Sequence, residues 1–167
     1  MDGPAATVPP PEPPDSPSAW YAAAVHDQYE IVPGVVATVR DADDGFAYDV
    51  RAPSLSADAT ADLRAIRTHF ENAELRRPRT REGAAERFLE GFDDRHGRII
   101  DRIATCSSGE RRRLEYHALA ELKCLEELTP HALDEKIEVG DHAGGELVVH
   151  LTDYAPAITG IEDPSHL

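Results

Sequence analysis

Lysine is nearly missing from this chain. Lys123 and Lys136 stand beside fifteen arginines, and the 17 basic side chains face 32 carboxylates, a formal net charge of -15 over 167 residues. That balance excludes the broad basic surface that non-specific phosphate binding by counterion release needs. Cysteine is almost as scarce: Cys106 and Cys124 can build neither a disulfide framework nor a four-thiolate zinc site, and both read as free thiols. No apolar run approaches the roughly 18 residues that cross a bilayer. Met1 is followed by Asp2 and prolines, not by a basic and then apolar signal segment. The expectation is a soluble, cytoplasmic chain with no direct membrane insertion.

What is present is acidity without lysine, spread along the whole chain, the balance associated with a salt-adapted (halophilic) cytoplasm. At about 1 M salt the screening length falls to about 3 Å, which removes the self-repulsion that loosens such a fold in dilute buffer. An ordinary acidic protein is the plainer alternative. Arg76, Arg77, Arg79 and Arg81 flank Pro78, and Arg111 to Arg113 open a helical pattern. Neither run interleaves aromatics for base stacking, so both read as solvated or partner-pairing faces and nucleic acid is not expected as a partner.

Residues 1–19 hold seven of the thirteen prolines and, among large aliphatics, only Val8. They cannot bury enough apolar surface to offset chain entropy, and are expected to form a disordered Pro-rich leader. Residues 20–160 read as a single α+β domain and 161–167 as a flexible tail. Trp20, Tyr21, Val25, Tyr29 and Ile31 dock its start. Val35 to Arg40 and Phe46 to Val50, joined through Asp41 to Gly45, have the composition of a hairpin with one apolar face. Helices are expected to cover that face.

The first helix follows Leu55 and Ser56, with Ala59, Leu63, Ile66 and Phe70 as its buried stripe. Thr80 caps a second, with Ala84, Ala85, Phe88, Leu89 and Phe92 as core, and Gly97 allows a break before Ile99, Ile100 and Ile103. Ser107 and Glu110 have the spacing of a capping box, ahead of Leu114, Ala118, Leu122 and Leu125. Thr129 and Pro130 end that helix and start a short one. Ile137 to Val139 and Glu146 to Leu151 form a second hairpin around His142 to Gly145. The order strands, helices, strands is α+β: short hairpins packed with a helical bundle.

No phosphate-binding Gly-x-x-x-x-Gly-Lys-Ser/Thr run, Gly-x-Ser-x-Gly elbow, His-Glu-x-x-His helix or dinucleotide glycine fingerprint occurs. Asp93, Asp94 and His96 are close in sequence, and Asp141, His142 and His150 could meet across the second hairpin. In so acidic a chain such proximity arises by chance, and a metal needs further ligands and a supporting shell. No metal, cofactor or catalytic residue is expected, and this chain is not expected to be an enzyme.

Tyr116, Leu119, Leu122 and Leu125, then Leu128, Thr129, Pro130 and Leu133, then Asp134, Ile137, Glu138 and Val139, then Leu147, Val149, His150 and Tyr154 resemble successive motifs of one family. It is the N-terminal, non-catalytic region of archaeal secretion-type ATPases, the type IV pilus and archaellum motors related to type II secretion ATPases. Tyr29 to Leu55 resembles that family's earlier hairpin, opening on Tyr-Glu-x-x-Pro-Gly. The resemblance covers about 125 residues and departs from the pattern around Cys124 to Glu127, where the family has glycines, and at Gly140. It also ends at Leu167 before any Walker, aspartate-box or histidine-box motif, so ATPase activity of full-length relatives does not carry over.

What the resemblance implies is an assembly or platform-binding part, with no cofactor. Its partners would be the motor's catalytic half or a membrane platform protein, with a homo-oligomer as a further assembly. Its place would be the cytoplasm, or the periphery of the inner face of the cell membrane. Asp134, Ile137, Glu138, Val149 and His150 are the junction candidates, and Arg76, Arg77 and Arg79 would face a partner. The alternative is a stand-alone halophilic interaction or regulatory protein; a third reading, a small enzyme using Asp94 and His96, ranks behind both.

Overall fold

In a computed structural model the described residues are 25–73 and 75–162, with the His142 side chain left aside. The expected leader 1–19, Trp20 and Tyr21, and residues 163–167 of the expected tail lie outside them. The described chain is α+β, in the order expected, and it divides into two compact units: the sheet unit, from residues up to Ala52 and from Asp134 onward, and the helical unit Pro53–Leu133. The sequence reading treats 20–160 as one domain. The helical unit is thus a long excursion between the third and fourth strands of a sheet.

The sheet has the order β1-β2-β3-β6-β5-β4. Its strands are β1 (Val25–Val32), β2 (Val35–Ala42), β3 (Gly45–Arg51), β4 (Ile137–Ala143), β5 (Glu146–Leu151) and β6 (Ala157–Glu162). Pro33 and Gly34, the latter at φ +84, turn β1 into β2 with Val32 opposite Val35, the residue pair a tight turn with one positive φ asks for. Asp43 and Asp44 turn β2 into β3. Gly45 at φ +124 closes that turn, and a Cβ there would meet the Pro156 carbonyl oxygen at 3.1 Å, so only glycine fits.

Two strands escape the sequence reading. β1 carries Asp27 in line with Val25, Tyr29 and Ile31, which blurs its alternation. β6 holds Gly160 at φ +71 and begins inside the expected domain but runs through Ile161 and Glu162, two residues of the expected tail. β6 lies parallel to β3 through only two register pairs, Phe46 with Ala157 and Ala47 with Ile158, and antiparallel to β5. The first hairpin's apolar face is covered by its own curled sheet. Ala37, Val39 and Tyr48 pack with Ile137, Val149, Leu151 and Ala157.

The helical unit contains α1 (Ala57–Phe70), α2 (Arg81–Glu90), α3 (Asp94–Ile103), α4 (Ser108–Lys123), a single 3-10 turn (Glu126–Leu128) and α5 (Thr129–Leu133). Ser56 caps α1 by accepting the Ala59 amide at 3.1 Å, and Thr80 caps α2 by accepting that of Gly83 at 3.1 Å, both as expected. Leu63, Ile66 and Phe70 of α1, Ile100 of α3, and Leu114 and Ala118 of α4 form its core. Burial of each large aliphatic contributes about 1.5–3 kcal/mol.

Three expectations for the helices change. Leu89 is 84% exposed instead of buried, because α2 turns only Ala84 fully inward. The chain breaks at Gly91, φ +66, and Gly97 lies inside α3. Ser107 makes no side-chain cap to α4; its hydroxyl donates to Glu110 Oε2 at 3.0 Å, and the Glu110 and Arg111 amides go to the Ser107 carbonyl. The glutamate carboxylate, held below its ordinary pKa chiefly by a hydrogen bond from Ser56, draws the serine hydroxyl away from the amides.

Candidate functional site

Asp134 is the first residue of the sheet unit after the helical excursion and is 2% exposed. A carboxylate so buried is costly unless hydrogen bonds replace its water. Its Oδ2 accepts the Tyr29 hydroxyl of β1 at 2.5 Å and the Tyr48 hydroxyl of β3 at 2.6 Å. Its Oδ1 accepts the Lys136 amide at 2.9 Å, a side-chain turn that aims the chain into β4. Lys136 completes the cluster: Nζ lies 2.8 Å from Asp27 Oδ2 and 3.7 Å from the centre of the Tyr29 ring. Burial first, and then donation to Asp134, raise both tyrosine hydroxyls well above the ordinary phenol range. The two phenols therefore hold their protons as donors.

The cluster joins Tyr29 and Asp134, 105 positions apart. Asp134, one of the junction candidates, is therefore a buried residue that meets Tyr29, Tyr48 and the Lys136 amide of its own unit. Ile137 and Val149 are core residues, His150 is half-buried and Glu138 is exposed. β5, which carries Leu147 to His150, lies between β6 and β4 and offers no free edge. The outer strands are β1 and β4, and on β4 Val139 is 56% exposed. Glu138 is the exposed member of the expected junction, and its neighbour Val139, not among those candidates, is exposed beside it.

In the helical unit the equivalent buried carboxylate is Asp62, 5% exposed on α1. It accepts the Thr105 amide at 2.7 Å, the Thr105 hydroxyl at 3.0 Å and the Cys106 amide at 2.8 Å. Burial pushes its pKa up, but the amides of Thr105 and Cys106 outweigh that and hold it below the ordinary carboxylate range. The effect on Cys106 is opposite: burial and then the Asp62 carboxylate raise its thiol pKa, away from nucleophilic thiolate. Burial pushes the Cys124 thiol up to about 11.

The polar pairs singled out by spacing resolve into local structure. Asp93 caps α3, accepting the His96 amide at 2.7 Å with His96 Nδ1 2.9 Å from its other oxygen, and the amide bond leads the lowering of its pKa. The register sets His142 opposite Leu147 and His150 opposite Val139, so the two histidines are not cross-strand partners. No group of three or more His, Cys, Asp or Glu among the described residues is placed to hold a metal ion. No described helix is long and apolar enough to cross a membrane.

Arg76, Arg77 and Arg79 are exposed; Arg77 pairs with Glu126, while the Arg76 carbonyl accepts from Arg87 at 2.9 Å. Sequence reasoning missed a second grouping in the sheet unit, the His26 ring against Phe46 at 5.3 Å and Tyr154 at 5.7 Å, with Nε2 2.6 Å from Asp41 Oδ1. Nothing in the local pattern brings those residues together before the register of β1 on β2 is known. No protein-family model matches the chain, and no curated protein does.

Proposed function

We propose that this chain is a non-catalytic assembly or platform-binding part of a secretion or pilus motor, working through its surfaces and not through turnover. The observation that carries the reading is the Tyr29–Asp134–Tyr48 cluster. Two separate segments that resemble the motor family are joined there in one buried contact, as expected of residues that serve one architecture. Exposed Glu138 and Val139 on the outer strand β4 supply an edge that another chain can extend by strand addition. The partners on this reading are the catalytic half of the motor or its membrane platform protein, in the cytoplasm or at the inner face of the cell membrane.

The test is a mixed reconstitution at molar salt with separately purified catalytic half and platform protein. Binding that is lost when the exposed Glu138 and Val139 are replaced by lysine and arginine, in a variant that keeps the wild-type circular dichroism spectrum, supports the proposal. No binding to either protein overturns it and leaves the stand-alone interaction protein as the better reading.

A further inference from the structure

Charge divides sharply between the two units. Residues 53–133 hold fourteen of the seventeen cationic side chains against fifteen carboxylates, whereas the rest of the chain holds three against seventeen. In the helical unit several arginines are engaged internally: Arg67 with Glu121, Arg77 with Glu126, Arg111 with Asp101, and Arg81 and Arg87 with carbonyls. α3 is different. Arg95, Arg98 and Arg102 follow one another at i, i+3 and i+7, so they share one face over about 10 Å of helix. All three are exposed, and none of their guanidinium groups makes an ion pair or side-chain hydrogen bond among the described residues. The isoleucines Ile99, Ile100 and Ile103 hold the adjoining face against the core and so fix the direction of the arginine face.

The sheet unit presents the converse. Asp43 and Asp44 form the tight turn between β2 and β3, both exposed and neither paired among the described residues. Among the described residues no lysine or arginine of their own unit is left for them: Arg40 is taken by Asp49, Lys136 by Asp27, and Arg51 is engaged as well. His26 takes the neighbouring Asp41.

We propose that the arginine face of α3 docks on the Asp43–Asp44 turn of a second copy of this chain. Guanidinium groups spaced along a helix suit carboxylates on a protruding turn, which they bind through paired, charge-assisted hydrogen bonds. Copies of charge -15 repel at long range, but at physiological ionic strength charges separated by more than about 8 Å are screened and contact pairs decide. The contact joins unlike surfaces, so two copies form it once, or twice when they pair about a two-fold axis. It does not depend on the motor reading. A nucleic-acid strand is the less favoured occupant, because α3 has no aromatic side chain for stacking and the rest of the chain is strongly anionic.

The experiment is sedimentation velocity of the full chain from low to high ionic strength, over the range where circular dichroism shows it folded. The expected result is a concentration-dependent rise above the 18.3 kDa monomer that added salt reverses. Two charge-reversed chains, R95E/R98E/R102E and D43K/D44K, are each expected to stay monomeric while keeping the wild-type spectrum. Mixed together they should associate again, because the new glutamates of one meet the new lysines of the other. A monomeric wild type at every ionic strength overturns the proposal, as does association that persists in both variants or a mixture that stays monomeric. Binding of a single-stranded oligonucleotide by the wild type, abolished in R95E/R98E/R102E without any self-association, assigns the face to phosphate instead and equally overturns it.

Discussion

Asp134 illustrates how one buried carboxylate constrains three strands. Its two phenol donors come from β1 and β3 and its amide donor is Lys136, the residue just before β4, so removing the acceptor leaves two hydroxyls without it at once. Asp134→Ala is expected to cost about 3 kcal/mol or more in urea unfolding, and Tyr48→Phe about 2 kcal/mol, since it removes one bond to a charged group. Tyr29→Phe should cost less, because Tyr29 is only half-buried. A cost below that of a surface substitution for all three would show that the cluster is incidental. Asp62 makes a prediction of different form. Its folded pKa is depressed, so its contribution is fully present above the unfolded value of about 3.9 and is lost as pH falls through the lower folded value. Stability of the wild type should therefore decline below about pH 4, and Asp62→Asn should be less stable at neutral pH yet show a flatter acid limb. Urea midpoints across that range measure both. Asp134 was visible in the sequence through its motif, but its role was not: the spacing could not show a hydroxyl arriving from 105 positions away.

Single elements follow local rules where the donor and acceptor are close in sequence, and depart where a third group competes. Ser56 and Thr80 cap as their positions predict, so Ser56→Ala and Thr80→Ala should each cost about 1 kcal/mol. Ser107 has the same chemistry and the better motif, yet its hydroxyl is drawn to Glu110; Ser107→Ala should cost clearly less than either. Thermal midpoints of the three variants provide the comparison, and an equal loss at Ser107 would restore the capping box. Glu126 shows the reverse, a side chain where the backbone wants none. It sits at φ +53 in the turn after α4. Glu126→Gly relieves that strain and gives up an exposed pairing with Arg77 that is worth little. A net gain of about 1 kcal/mol is expected from denaturant unfolding, and a loss would mean that the ion pair outweighs the backbone. The helices were legible because α1 and α4 keep their apolar residues at helical spacing. β1 and β6 were not, because Asp27 and Gly160 interrupt the alternation on which a strand is recognised.

At the scale of the molecule the order strands, helices, strands was legible from the sequence, while the insertion of one unit into another was not. The pairing that reveals it, β3 beside β6, spans the whole helical unit yet rests on two register pairs, too few to leave a pattern in either strand. Composition, in contrast, becomes more informative once divided. The helical unit is close to neutral, and almost the whole charge of the chain belongs to the remainder. Self-repulsion grows with net charge and is screened by salt, so the two units should respond to salt unequally. A chain comprising residues 53–133 has its own core and is expected to remain helical. Its thermal midpoint should change little between dilute buffer and about 1 M salt, where the screening length is about 3 Å. The full chain should gain stability over the same interval, read from sheet signals such as the near-ultraviolet signature of Tyr29 and Tyr48. Equal salt dependence of fragment and full chain would place the stabilising effect of salt in burial of apolar surface, which salts excluded from the protein surface also strengthen, and not in the carboxylates of the sheet unit. Sodium chloride against sulfate at matched ionic strength separates the two: charge screening responds to ionic strength alone, whereas an effect on burial is larger for sulfate.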